Sequence, residues 1–259
     1  MPGSIGTLEK ALEILQLFTL GRAELSAPEI AAKLGMPLST AYKYLQTFQQ
    51  KQFLSKNERT NKYYPGLSIL RLGLFAAAKT SVLEVSAPYL ESLVEQSLET
   101  AVLTVLDGLN MVCVDVKESP RVLRITTGKG STMPLYAGSP GKAVLAFRDQ
   151  SFIDYVIKTT GIAKVNRNTI TEIEQLKEEL ARIRRQGFSE SDSEYVADIC
   201  SLAAPIFDYK GQAIASISVA GSAERILGEN KKNLVGLVKE SAKGISSELG
   251  YVENPRKYP

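Results

Sequence analysis

Apolar and polar positions follow two different periods along the chain, and the change between them divides it. In the first third the strong patterns are helical. Leu8, Ala11, Leu12, Leu15 and Phe18 fall three or four apart, and Gly21 follows where a helix would stop. This predicts an amphipathic helix over 7–20 that buries that stripe. Ser26, Pro28 and Glu29 supply a hydroxyl cap, a proline in the first turn and a glutamate three residues after the cap, so a short helix is expected over 27–34. Gly35-Met36-Pro37 breaks it, because glycine tolerates positive φ and proline cannot continue the backbone ladder. A further helix is predicted over 38–51. Leu38, Ala41, Leu45 and Phe48 form its inward stripe with Tyr44 beside them, and Ser39, Thr40, Tyr42, Lys43 and Gln46 point outward. Residues 52–64 form a predicted hairpin, with Phe53-Leu54 and Tyr63-Tyr64 flanking a polar turn.

Pro65-Gly66 ends this module. Residues 67–79 resume a helical pattern with Leu67, Ile69, Leu70, Leu72, Leu74 and Phe75 on more than one side, as in a helix buried all round. Packing on a second copy and packing within one subunit fit that pattern equally. A helix over 82–96 follows, turning Val85, Tyr89, Leu90, Leu93 and Val94 inward. Period-two runs then appear at 101–107, 111–116 and 121–127, the first two joined by Gly108-Leu109-Asn110. Residues 133–146 run from a strand end through a glycine-rich turn into a helix. Helices are expected over 152–157 and 172–185, the latter closed by Gly187, then a hairpin of 201–207 with 212–220, and a helix over 231–249. Strands mixed with helices, without strict βα alternation, predict an α+β domain around an antiparallel sheet.

Composition narrows the chemistry. The chain has 259 residues with 44% hydrophobic and 23% charged positions, which fits two modest globular domains and excludes disorder, collagen and a coiled-coil rod. No run approaches a membrane span and no secretory leader is expected, so the protein is expected in the cytoplasm without membrane contact. Cys113 and Cys200 fit buried thiols in a reducing compartment. Histidine is absent, which removes Ser-His-Asp and Cys-His machinery and leaves zinc only distant thiolates and carboxylates; no metal, cofactor or catalytic residue is expected. The net charge of +3 conceals an asymmetry: residues 1–79 hold ten Lys/Arg against five Asp/Glu. Charge alone fits a polyanion-binding face and a solvated surface about equally.

Two short helices joined by a glycine turn, followed by a wing, match the helix-turn-helix pattern, although any small helical domain yields a similar series. On the helix-turn-helix reading, Ser39 and Thr40 face phosphates or base edges and Lys43 reaches a phosphate or a guanine. Tyr42 and Gln46 share that face, and Arg59 and Lys62 hold the flanking backbone. Gly141-Lys142 is not a P-loop, because Tyr136 and Ala143 stand where that motif needs glycine and Ser or Thr. What remains is a helix start whose amides at Ser139, Gly141 and Lys142 would suit a carboxylate, or glycines that only allow close packing.

Three stretches together resemble IclR-type bacterial transcriptional regulators: residues 34–48, centred on Pro37-Leu38-Ser39-Thr40-Ala41-Tyr42-Lys43; residues 133–146; and Ala203-Ala204-Pro205-Ile206-Phe207-Asp208 followed by Ser216-Ile217-Ser218-Val219-Ala220-Gly221. The resemblance covers essentially the whole chain in order. It implies a winged helix-turn-helix at 1–66, a linker helix at 67–80 and a GAF-like effector-binding and oligomerisation domain at 81–259. It further implies a homodimer that pairs into a dimer of dimers and a small-molecule effector; two-fold symmetry then predicts a pseudo-palindromic double-stranded operator, and hydroxyls with helix amides among apolar walls suit a small organic acid, as of a catabolic pathway. Carried over by position, the effector pocket takes in Ile125, Met133, Ser139, Pro140, Ser191, Ile199, Ser201 and Ser218, with Gly141 beside them. Glu190, Asp192 and Glu194 are expected as a solvated acidic rim. Lys43 replaces the usual arginine and so lacks its bidentate fork, Leu38 replaces a commonly basic residue, and Tyr136 stands where histidine is frequent. The alternatives are a ligand-independent DNA-binding assembly module and an enzyme using Lys142 or a serine as nucleophile.

Overall fold

The computed structural model describes residues 6–18, 24–78, 81–122 and 128–252. The chain divides into two compact units, Met1–Thr80 and Ser81–Pro259.

The first unit contains α1 (Gly6–Gln16), α2 (Ala27–Lys33), α3 (Leu38–Gln50), β1 (Leu54–Asn57), β2 (Lys62–Pro65) and α4 (Leu67–Ala78). The capping box at α2 is complete: the Ser26 amide donates to Glu29 at 2.7 Å, and the Glu29 amide donates to the Ser26 hydroxyl at 3.5 Å. Gly35 takes a φ of +59° and the Met36 amide returns to the Ala31 carbonyl, turning the chain between α2 and α3. The hairpin pairs Leu54 with Pro65 and Asn57 with Lys62, and a single bridge ties Leu25 to Tyr63. Ile14, Leu25, Ile30, Ala41, Leu45, Leu54 and Tyr63 make the core.

Three apolar expectations change here. In α1 the buried residue is Ile14, whereas Leu8 and Leu12 are about half exposed, so the helix is rotated from the predicted stripe toward Ala11, Ile14, Leu15 and Phe18. Leu38 is exposed rather than inward, because α3 begins before it reaches the core. The helix expected to be buried all round, α4, keeps Leu67, Leu70, Leu72 and Phe75 between 55 and 71% exposed. Its anchor is Ser68, which is buried and donates to the Lys51 carbonyl at 3.0 Å.

The second unit contains α5 (Ser81–Ser97), β3 (Thr100–Asp107), β4 (Asn110–Lys117), β5 (Thr132–Pro134), α6 (Ser139–Leu145), α7 (Gln150–Thr160), α8 (Ile173–Gln186), β6 (Ser189–Asp192), β7 (Cys200–Phe207), β8 (Ala213–Gly221), α9 (Ala223–Leu227) and α10 (Lys231–Glu248). The six strands form one antiparallel sheet in the order β5-β4-β3-β8-β7-β6. Alternation sends Ala215, Ile217 and Val219, with Leu202, Ala204 and Ile206, into a core shared with α5 and α10. On the opposite face α6, α7 and α8 build a second core from Leu135, Val144, Leu145, Val156, Leu176, Leu180 and Ile183. The short β6 and α9 were not expected from the pattern. Of the expected strand at 121–127, residues 121–122 form a bend and the remainder lies outside the described residues. The architecture is α+β, with a winged helix-turn-helix in the first unit and a helix-covered antiparallel sheet in the second.

Candidate functional site

The exposed face of α3 carries Ser39, Tyr42, Lys43 and Gln46, with Thr40 half-buried at its edge. Ala41 and Leu45 lock the other face into the core, and this burial fixes which side chains look outward. The Lys43 side chain makes no ion pair or hydrogen bond with a described residue, and its backbone carbonyl accepts the Thr47 hydroxyl at 2.9 Å. The wing is held by Asn57, whose side-chain oxygen accepts the Arg59 and Thr60 amides at 3.0 and 3.3 Å. Glu24 accepts from the side chains of Asn57 and Thr60, so its carboxylate is spent on the wing turn. Asn61 adopts a φ of +55° at the tip. On the wing Arg59 is left exposed and Lys62 half-buried. Hydrogen bonds from the Ser26 hydroxyl and amide hold Glu29 below the usual carboxylate range.

In the second unit the strand register brings three of the expected effector residues onto one face. Ser191 pairs with Ser201, Ser201 with Ala220 and Ala203 with Ser218, which places Ser191, Ser201 and Ser218 on the same side of the sheet. That side faces α6: the Ser216 hydroxyl donates to the Pro140 carbonyl at 3.1 Å, and the Ser139 hydroxyl donates to that of Ser201 at 2.6 Å. Met133 is half-buried opposite Met111. Ser139, Pro140, Gly141, Ser191 and Ser218 are buried, Ser201 half-buried. Ile199 lies half-buried in the β6–β7 loop, its carbonyl accepting the Ser193 amide, and Ile125 lies outside the described residues. A Cβ on Gly141 would stand 2.7 Å from the carbonyl oxygens of Pro134 and Leu135, so close packing requires glycine there. The Lys142 amide, expected to be unpartnered, donates to the Gly138 carbonyl at 3.3 Å.

The expected acidic rim is the main departure. Glu194 is buried rather than solvated, and its carboxylate accepts from Lys142 Nζ at 2.5 Å and from the Gly138 amide at 3.3 Å. Lys142 is 1% exposed and also meets Glu179 at 3.3 Å. From Glu179 the chain of charges continues to Arg182 at 2.8 Å, to Glu190 at 3.2 Å and on to Lys231. Asp192 alone of the three acids is exposed. Burial pushes Glu194 above the usual carboxylate range against the pull of Lys142. At Glu179 and Glu190 burial acts upward too, but the charges and hydrogen bonds of Arg182 with Lys142, and of Lys231 with Arg182, outweigh it and leave both below that range. Burial and the Asp192 carboxylate push the Cys200 thiol up to about 12. A cavity of about 320 Å³ opens beside the cluster and is bordered by Lys142, Ser191, Glu194 and Ile170. The sequence did carry a signal for this network: Lys142 interrupts a helix otherwise made of small and apolar residues, and a lysine buried there requires carboxylates.

A winged helix-turn-helix with an exposed, cation-bearing α3 face, in one chain with a serine-bearing sheet domain, defines a DNA-binding regulator of transcription. The chain belongs to the IclR family of bacterial transcriptional regulators. Residues 74–247 match the family model described as "Bacterial transcriptional regulator IclR C-terminal", and residues 7–58 match the "IclR helix-turn-helix domain". Among curated relatives, the HTH-type transcriptional repressor AllR of Salmonella typhi is 28% identical over 243 residues, covering 94% of this chain and 89% of that protein. Among solved structures, the Thermotoga maritima IclR superposes with a TM-score of 0.72 at 30% identity, covering 96% of this chain and all of that one. An IclR homologue from Microbacterium hydrocarbonoxydans, described as complexed with 4-hydroxybenzoate, shares the fold with a TM-score of 0.80 at 22% identity over 94% of this chain and 98% of its own.

Proposed function

We propose that this regulator reads a pseudo-palindromic operator through Ser39, Thr40, Tyr42, Lys43 and Gln46 of α3, braced by Arg59 and Lys62 of the wing, and that a small organic acid bound over the α6 face of the sheet modulates this binding. The observation that carries the reading is the Ser139–Ser201 hydrogen bond at 2.6 Å, which joins the α6 start to a sheet face that also bears Ser191 and Ser218. Hydroxyls gathered on one sheet face suit the oxygens of a small acid. A ligand there shifts DNA binding only through different contacts in two arrangements of the protein. Tyr136 is buried, with its hydroxyl donated to the Ala163 carbonyl at 3.0 Å, so it takes no histidine-like role toward the ligand. The ion-paired state of Lys142 argues against its use as a nucleophile.

The exposed Leu67, Leu70, Leu72 and Phe75 of α4 support a homodimer, because a second copy would remove that apolar face from water. Two-fold symmetry then imposes two-fold sites, and pairing of dimers is the higher assembly. The test is footprinting on the DNA flanking the protein's own gene, with and without a panel of small organic acids. Symmetric protection that one acid strengthens or releases is expected. Indifference to duplex DNA at low ionic strength would overturn the DNA reading, and equal affinity across the panel would overturn the effector reading.

A further inference from the structure

A groove of about 950 Å³ lies between the end of α8 and α10, floored by β7. It shares no residue with the cavity beside Lys142. Along α10, Lys232, Gly236, Lys239, Lys243 and Ser246 recur three or four apart and line one side of the groove. At about 1.5 Å per residue that row is roughly 20 Å long.

The rim is cationic. Arg185, Lys232, Lys239 and Lys243 border the groove, and Glu240 is the one carboxylate among its described lining residues. Lys239 donates to the Gln186 carbonyl at 2.9 Å, so part of its charge answers the end of α8. Arg185 and Lys232 are exposed and make no hydrogen bond or ion pair with a described residue. The floor is apolar: Phe207 meets Phe147 edge-on at 5.2 Å and stacks on Tyr251 at 4.9 Å. A Cβ on Gly236 would meet nothing within 4 Å, so the groove is open at the middle of the helix.

We propose that this groove docks an extended acidic segment of a partner protein, with carboxylates against Arg185 and Lys232 and one apolar side chain on the Phe207 floor. Length and charge favour that occupant. A run of about six extended residues spans 20 Å, whereas a metabolite site is compact. Duplex DNA presents phosphates and needs no aromatic floor. The residues that follow Val252 include Arg256 and Lys257 against Glu253, the wrong sign for this rim.

The probe is a fluorescein-labelled octapeptide in which aspartate and glutamate flank one phenylalanine, titrated by polarisation into the full-length protein at low ionic strength. Saturable binding that weakens with added salt is expected, and the lysine-for-acid peptide should not bind. Arg185→Glu with Lys232→Glu should lower affinity at least about tenfold, because neither side chain has a partner among the described residues to lose. Gly236→Leu should do the same by filling the open space while favouring the helix, with thermal unfolding and duplex binding intact. Absence of saturable binding, equal binding of the lysine peptide, or indifference to both substitutions overturns the proposal. So does displacement of the acidic peptide by random duplex or by phosphatidylserine vesicles at equal charge, which would assign the groove to a phosphate surface.

Discussion

Lys142 and Glu194 form an ion pair at 2.5 Å in which neither side chain is more than 9% exposed. The pair ties the helix that carries Ser139 to the loop between β6 and β7, and Glu194 also holds the Gly138 turn that opens that helix. Removing one partner leaves an uncompensated buried charge. Lys142→Met is expected to cost about 3 kcal/mol in urea unfolding at neutral pH. The loss should shrink on acidification, because Glu194, already pushed up by burial, then protonates more readily. A loss that is the same at every pH would show that the carboxylate is not the strained group.

Lys43→Ala should weaken operator binding and reduce the slope of log affinity against log salt by about one, the signature of one lost phosphate contact. Lys43 is exposed and has no partner among the described residues, so the unfolding midpoint should stay unchanged. An unchanged salt slope would remove Lys43 from the interface.

Glu179 and Glu190 have carboxyls below the unfolded value of 4.5 because their cationic neighbours outweigh burial. Between their native values and 4.5 the unfolded chain binds more protons, so the stability they contribute is complete above 4.5 and is lost as pH falls through the native values. Glu194 works in the opposite direction, since its raised carboxyl favours the folded form on acidification. Urea midpoints should therefore fall below about pH 4.5, and Arg182→Met should flatten that limb. A midpoint that rises on acidification would mean that Glu194 dominates.

Gly141→Ala places a Cβ at 2.7 Å from two carbonyl oxygens, and backbone cannot yield as a flexible side chain does. A loss of about 1–3 kcal/mol is expected, by thermal or urea unfolding. Gly236→Ala is the control: its Cβ meets nothing within 4 Å, so the same change should be neutral or stabilising by up to about 1 kcal/mol. Equal losses at both sites would refute the packing explanation.

Chain-local signals sufficed wherever a few neighbouring residues decide the backbone. The Ser26–Glu29 capping box, the Gly35 turn and the αL stop at Gly187 all formed as their local chemistry requires. Period-two alternation placed Ser218 opposite Ile217 and Val219. Only the tertiary fold decided which part of an apolar helix finds a core. Ile14 rather than Leu8 or Leu12 is buried because the small first core accepts one face of α1, and the helix carries apolar residues around more than that face. The same holds for Glu190, Asp192 and Glu194: an acidic run has the same composition whether it faces water or a buried lysine. Glu194 and Lys142 lie 52 positions apart, and nothing local encodes their meeting; the antiparallel register of β6 on β7 and the packing of α6 over that face bring them together.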